Sequence, residues 1–88
     1  MSIPPLPAEE IIRIIGSAFA PLRCVAEVWD YGSRIRFRVF NNADEPLITQ
    51  TELLWRELSE ATRLKFVIEY YRDQVSKLGH SLDPWTLS

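Results

Sequence analysis

Between Arg23 and Phe40 the chain adopts a strict period of two, and this stretch constrains the fold more than any other. Cys24, Ala26 and Val28 alternate with Val25, Glu27 and Trp29. After Asp30-Tyr31-Gly32-Ser33, the apolar residues Ile35, Phe37 and Val39 alternate with Arg34, Arg36 and Arg38. Successive strand side chains point to opposite faces, so each run predicts a strand with one apolar side. Gly32 supplies the positive φ that a tight hairpin turn requires. A two-residue loop puts both apolar sets on one face and leaves Glu27, Trp29 and the three arginines on the other. Such a hairpin must be covered on its apolar side.

The flanking segments supply that cover. Residues 1–7 contain three prolines and read as an extended arm leading into a helix. Pro7 suits the start of that helix, and Glu9 and Glu10 suit the positive end of its dipole. Ile11, Ile12, Ile14, Ile15, Ala18 and Phe19 give it an apolar surface, and Pro21 ends it. Residues 41–46 have turn composition, and Leu47 to Gln50 predict a short third strand that begins after Pro46. A second helix is expected from about Glu52 to Leu78, with Ser59 as an internal cap that splits it and Gly79 as its C′ residue. The expected fold class is α+β, a single small domain of order α-β-β-(β)-α. Its two- or three-stranded antiparallel sheet is covered by helices. Residues 8–79 form the domain, and residues 80–88 form a tail too apolar to be purely solvated.

On the long helix, Leu54, Leu58, Ala61, Leu64, Val67, Ile68, Tyr71, Val75 and Leu78 fall within one arc, the expected core face. Trp55, Phe66 and Tyr70 fall on the opposite side. Either the first helix or the tail, through Trp85, packs over this second stripe, or the stripe is a self-association or partner surface.

Arg34, Arg36 and Arg38 form a ladder at i, i+2 positions. Eight of the ten basic residues are arginine, which favours forked, bidentate contacts. With Trp29 they make a candidate binding face for phosphates, carboxylates or an acidic protein partner. The alternative is internal: Glu27, Asp30 and Trp29 engage the same arginines in ion pairs and cation–π contacts. A chain of 88 residues with net charge −2 and only three strand arginines is a weak nucleic-acid binder by charge.

Catalytic signatures are lacking. There is no glycine-rich phosphate loop, no HExxH, no CxxC and no GxSxG, so neither catalytic residues nor metal ligands nor a cofactor are expected. The single histidine, His80, follows the helix-ending glycine, and the single cysteine, Cys24, alternates with the core side of its strand. One cysteine excludes an internal disulfide. No apolar run approaches the ~20 residues of a membrane helix, and the N-terminal residues lack a basic n-region. A cytoplasmic protein is therefore expected.

The order helix, hairpin, short strand, long helix is similar to that of double-stranded-RNA-binding domains. However, residues 52–60 carry three glutamates and only Arg56, where such domains set a lysine-rich helix start against phosphate. The run Ala18-Phe19-Ala20-Pro21, the hairpin with Gly32 and the Leu64-x-x-Val67-Ile68 helix resemble small uncharacterised proteins of pseudomonads and related bacteria, a domain of unknown function. That resemblance implies a compact bacterial single-domain protein. The expected function is a non-enzymatic protein-binding or regulatory module whose contact surface combines the arginine ladder with exposed aromatics, homodimeric through Trp55, Phe66 and Tyr70. The alternatives are a nucleic-acid-binding protein that uses Arg34, Arg36 and Arg38, and a phage- or mobile-element-encoded inhibitor of a host enzyme.

Overall fold

A computed structural model describes residues 5–87. Six elements follow one another: α1 (Ala8–Ser17), β1 (Cys24–Trp29), β2 (Arg34–Phe40), β3 (Pro46–Leu54), α2 (Trp55–Leu58) and α3 (Ala61–Lys77). The strands form an antiparallel sheet of order β1-β2-β3. This is the expected α+β architecture, with three strands rather than two.

Turn chemistry fixes the hairpin register. The Ser33 N–H donates to the Asp30 carbonyl at 3.0 Å across Tyr31 and Gly32, whose φ angles are +55° and +86°. Paired positive φ angles are what a primed hairpin turn needs to match strand twist. The register follows, Val28 opposite Ile35, Ala26 opposite Phe37 and Cys24 opposite Val39, so the apolar sets share one face as expected. The helices α1 and α3 pack on that face. Ile11, Ile14 and Ile15 of α1, Ile35, Phe37 and Val39 of β2, and Leu64, Ile68 and Val75 of α3 are buried in one core. At its centre Phe37 stacks on Phe19 at 5.7 Å and lies nearly perpendicular to Tyr71 at 5.3 Å.

The second half departs from expectation in three ways. First, β3 runs from Pro46 to Leu54, well beyond Gln50, so residues 52–54 are strand and not helix. Bulges conceal the strand in the sequence. Ile35 pairs with Leu53 but Phe37 with Gln50, so Thr51 and Glu52 together oppose Arg36. An extra residue of this kind breaks the period-two pattern. Second, the helix is divided after Leu58, at the expected place but by another device. The Ser59 hydroxyl donates backwards to the Arg56 carbonyl at 2.9 Å, and Glu60 takes the N-cap position of α3 without a side-chain cap bond. Third, Leu78 leaves the expected core arc: α3 ends at Lys77, and Leu78 is exposed beside Gly79 at φ +96°.

The described parts of the arm and of the tail are both tied down. The Leu6 N–H donates to the Ser59 carbonyl at 2.9 Å, which lays the arm over the α2–α3 junction; its first four residues lie outside the described ones. In the tail, Leu82, Trp85 and Leu87 pack against the core. The Asp83 N–H donates to the Ala20 carbonyl at 2.8 Å, and the Arg72 guanidinium donates to the carbonyls of Ala18 and Asp83. Arg72 thus joins α3, the end of α1 and the tail.

Candidate binding surfaces

The two layers leave two outer faces, and the candidate residues divide between them. Arg34, Arg36, Arg38, Glu27 and Trp29 alternate with the buried strand residues and so stand on the open face of the sheet. Phe66 and Tyr70 stand on the side of α3 opposite Leu64 and Ile68. One combined contact surface of arginines and these aromatics is therefore excluded by the architecture.

On the open face the ladder is largely satisfied from within. Arg34 pairs with Asp30 at 3.1 Å and also with Glu52, which the bulge brings to the same face. Arg36 pairs with Glu27 at 2.7 Å. The indole of Trp29 lies between them, 5.7 Å from the Arg36 guanidinium and 5.9 Å from that of Arg34. Its Nε1–H crosses β2 to donate to the Thr51 carbonyl at 3.0 Å. The bulge is held from inside as well, because the Gln50 amide joins the Tyr71 hydroxyl at 2.5 Å and accepts from the Glu52 N–H at 3.0 Å. These contacts are the internal alternative for Arg34 and Arg36. Arg38 differs. It forms no ion pair among the described residues, and its Nε donates to Thr49 Oγ1 at 3.1 Å.

Beside Arg38 the face is concave. A depression of about 360 Å³ is lined by Val25, Glu27, Arg36, Arg38, Phe40 and the two threonines 49 and 51. Its far wall is fixed by Arg23, which stacks 3.9 Å from the Phe40 ring centroid and pairs with Asp44 at 3.0 Å. Val25 and the threonines were not singled out from sequence, because only the strand register reveals them as neighbours of Arg38.

The helix face carries two of the three expected aromatics. Phe66 is 72% exposed and Tyr70 51% exposed, and neither α1 nor the tail covers them. Trp55 does not join them. It begins α2 at the end of β3, packs against the core, and its buried Nε1–H has no hydrogen-bond partner among the described residues. The phase assigned to it failed because the helix does not continue from Glu52. Phe66 borders a groove of about 350 Å³ between α2 and α3, lined by Leu53, Leu58, Thr62 and Val67.

Cys24 sits on the core side of β1, and burial pushes its thiol up to about 12 from an ordinary value near 9. A neutral thiol at physiological pH is a poor nucleophile. Among the described residues no cluster of three or more His, Cys, Asp or Glu side chains could hold a metal ion. Among the described residues no helix is long and apolar enough to cross a membrane. Comparison of the chain with protein-family models, curated proteins and solved structures returns no match.

Proposed function

We propose that this chain is a non-enzymatic protein-binding module that self-associates through the outer face of α3. The observation that carries the reading is Phe66, a large aromatic left 72% exposed beside an apolar groove. Aromatic side chains concentrate in the hot spots of interfaces, and an uncovered one on a small domain is a natural anchor.

Charge complementarity supports a second copy as the occupant. A two-fold axis between Phe66 and Tyr70 sets two α3 helices antiparallel and places residues with equal offsets from the midpoint opposite each other. Phe66 then meets Tyr70 of the other copy, and Arg63 meets its Asp73. Both pairs are favourable and all four residues are exposed in the single chain, where the solvated pairs Arg63–Glu60 at 3.8 Å and Asp73–Lys77 at 3.0 Å would exchange partners at little cost. The nucleic-acid reading is weaker, because Arg34 and Arg36 are already engaged by carboxylates. Each phosphate contact requires a cation that is free to make it.

Native mass spectrometry and light scattering test the proposal. The wild-type chain should be a dimer at micromolar concentration, and Phe66→Asp should be a monomer with an unchanged circular dichroism spectrum. A wild-type chain that is monomeric at high micromolar concentration overturns it.

A further inference from the structure

The open face of the sheet can be read rung by rung across the three strands. One outer rung sets Trp29 opposite Arg34, and Asp30 and Glu52 neutralise that arginine. In the middle rung Glu27 stands opposite Arg36 and pairs with it. The third rung is Val25, Arg38 and Thr49, each opposite the next in register, and it contains no carboxylate. Two rungs are thus electrically closed and one is left open.

The open rung also has the form of a receptor. The bond from Arg38 Nε to Thr49 Oγ1 orients the guanidinium, and its two Nη groups make no hydrogen bond among the described residues. Two parallel N–H donors match the two oxygens of a carboxylate. The adjoining depression of about 360 Å³ has apolar walls at Val25 and Phe40, and Val25 is 45% exposed. Its charged lining is Arg36, Arg38 and Glu27, which sums to +1 in a chain of net charge −2. A single negative charge with an apolar neighbour complements this lining.

We infer that Arg38 receives an Asp or Glu side chain from an acidic segment of a partner protein, with an adjacent apolar residue of that segment seated between Val25 and Phe40. The partner's carboxylate completes the third rung as Glu27 completes the second. This site lies on the opposite layer from Phe66, so it extends the protein-binding reading and stands or falls separately from the dimer.

The test uses the full chain, isotope-labelled, titrated in low salt with a blocked peptide of alternating Glu and Val and with its Gln-for-Glu counterpart. The Nε–H resonance of Arg38 should shift and saturate with the Glu peptide only, while that of Arg34 stays in place. Arg38→Gln should weaken binding about tenfold or more, equivalent to about 1.4 kcal/mol, with its thermal midpoint checked for retained folding. Arg34→Gln should leave affinity within about twofold, a change of about 0.4 kcal/mol. The inference is overturned if the Gln peptide binds equally well, if Arg38→Gln binds like the wild type, or if Arg34 and Arg38 respond alike. Inorganic phosphate that saturates the Arg38 resonance at concentrations as low as the Glu peptide also overturns it, since the site would then be a general anion site. Loss of dimerisation in Phe66→Asp with peptide binding intact separates this site from the helix face.

Discussion

The Nε1–H of Trp29 donates to the main-chain carbonyl of Thr51 at 3.0 Å, so a side chain of β1 reaches across β2 to hold β3. It does so at the bulge opposite Arg36, where an extra residue interrupts the ladder of backbone hydrogen bonds. Trp29→Phe keeps an aromatic ring beside Arg34 and Arg36 and removes the donor. It should cost about 1 kcal/mol, the usual net worth of one such bond. Trp29→Ala should cost more, because both guanidiniums lose the ring they lie over. Urea midpoints read the difference, and equal losses for the two variants would mean that the hydrogen bond carries the whole effect.

The three ladder arginines should differ sharply under charge reversal. Arg36→Glu sets a glutamate directly opposite Glu27, and Arg34→Glu faces both Asp30 and Glu52. Like charges opposite each other on a sheet are destabilising, so each should cost about 1 kcal/mol. Arg38→Glu meets only Val25 and Thr49 and should stay within about 0.5 kcal/mol of the wild type. In about 1 M salt the spread among the three should shrink, since the Debye length falls to about 3 Å. Three equal losses would show that the ladder has no internal order.

How far these features could be read in advance depended on whether local periodicity survived tertiary pairing. The hairpin was legible because Cys24 to Trp29 and Arg34 to Phe40 each alternate without interruption and Gly32 marks the turn between them. The strand β3 was not, because Thr51 and Glu52 share one register position and Leu47 is a second extra residue, opposite the step from Val39 to Phe40. Leu53 and Leu54 then resembled the start of a helix, and the error carried Trp55 onto the wrong face. Phe66 and Tyr70 were placed correctly because α3 is regular from Ala61 to Lys77. The open rung at Arg38 needs the partner strands on both sides, information that a single strand does not contain.

Phe37 should be the most sensitive position in the sheet. Its ring is buried, stacked on Phe19 and nearly perpendicular to Tyr71. Phe37→Ala should lose about 3–5 kcal/mol, from lost transfer energy and the cavity left behind. That is a large share of the ~5–15 kcal/mol total of a small domain. Phe37→Leu refills much of the volume and should lose roughly half as much or less. Phe66→Ala, measured in dilute solution where the monomer predominates, should change stability by no more than about 0.5 kcal/mol. If Phe37→Ala and Phe66→Ala cost the same, the assignment of inner and outer helix faces is wrong.

Cys24 gives the fold a pH dependence at the alkaline end. Burial raises its folded-state pKa from near 9 to about 12. Below pH 9 the thiol is protonated in both the folded and unfolded chains and contributes no slope. Between pH 9 and about 12 the unfolded chain releases the proton while the folded chain retains it. Stability therefore falls as pH rises through that window, by about 1.4 kcal/mol per pH unit at most. Other groups titrate there too, so the quantity to measure is the difference between wild type and Cys24→Ala in urea melts at pH 8, 9.5 and 10.5. The wild type should lose stability relative to the variant as pH rises, and the gap at pH 8 should reflect packing alone. At pH 8 the thiol should react with a disulfide reagent at a rate that tracks unfolding. Parallel profiles for wild type and variant, or rapid reaction of the folded chain, would place the thiol in solvent instead of against the core.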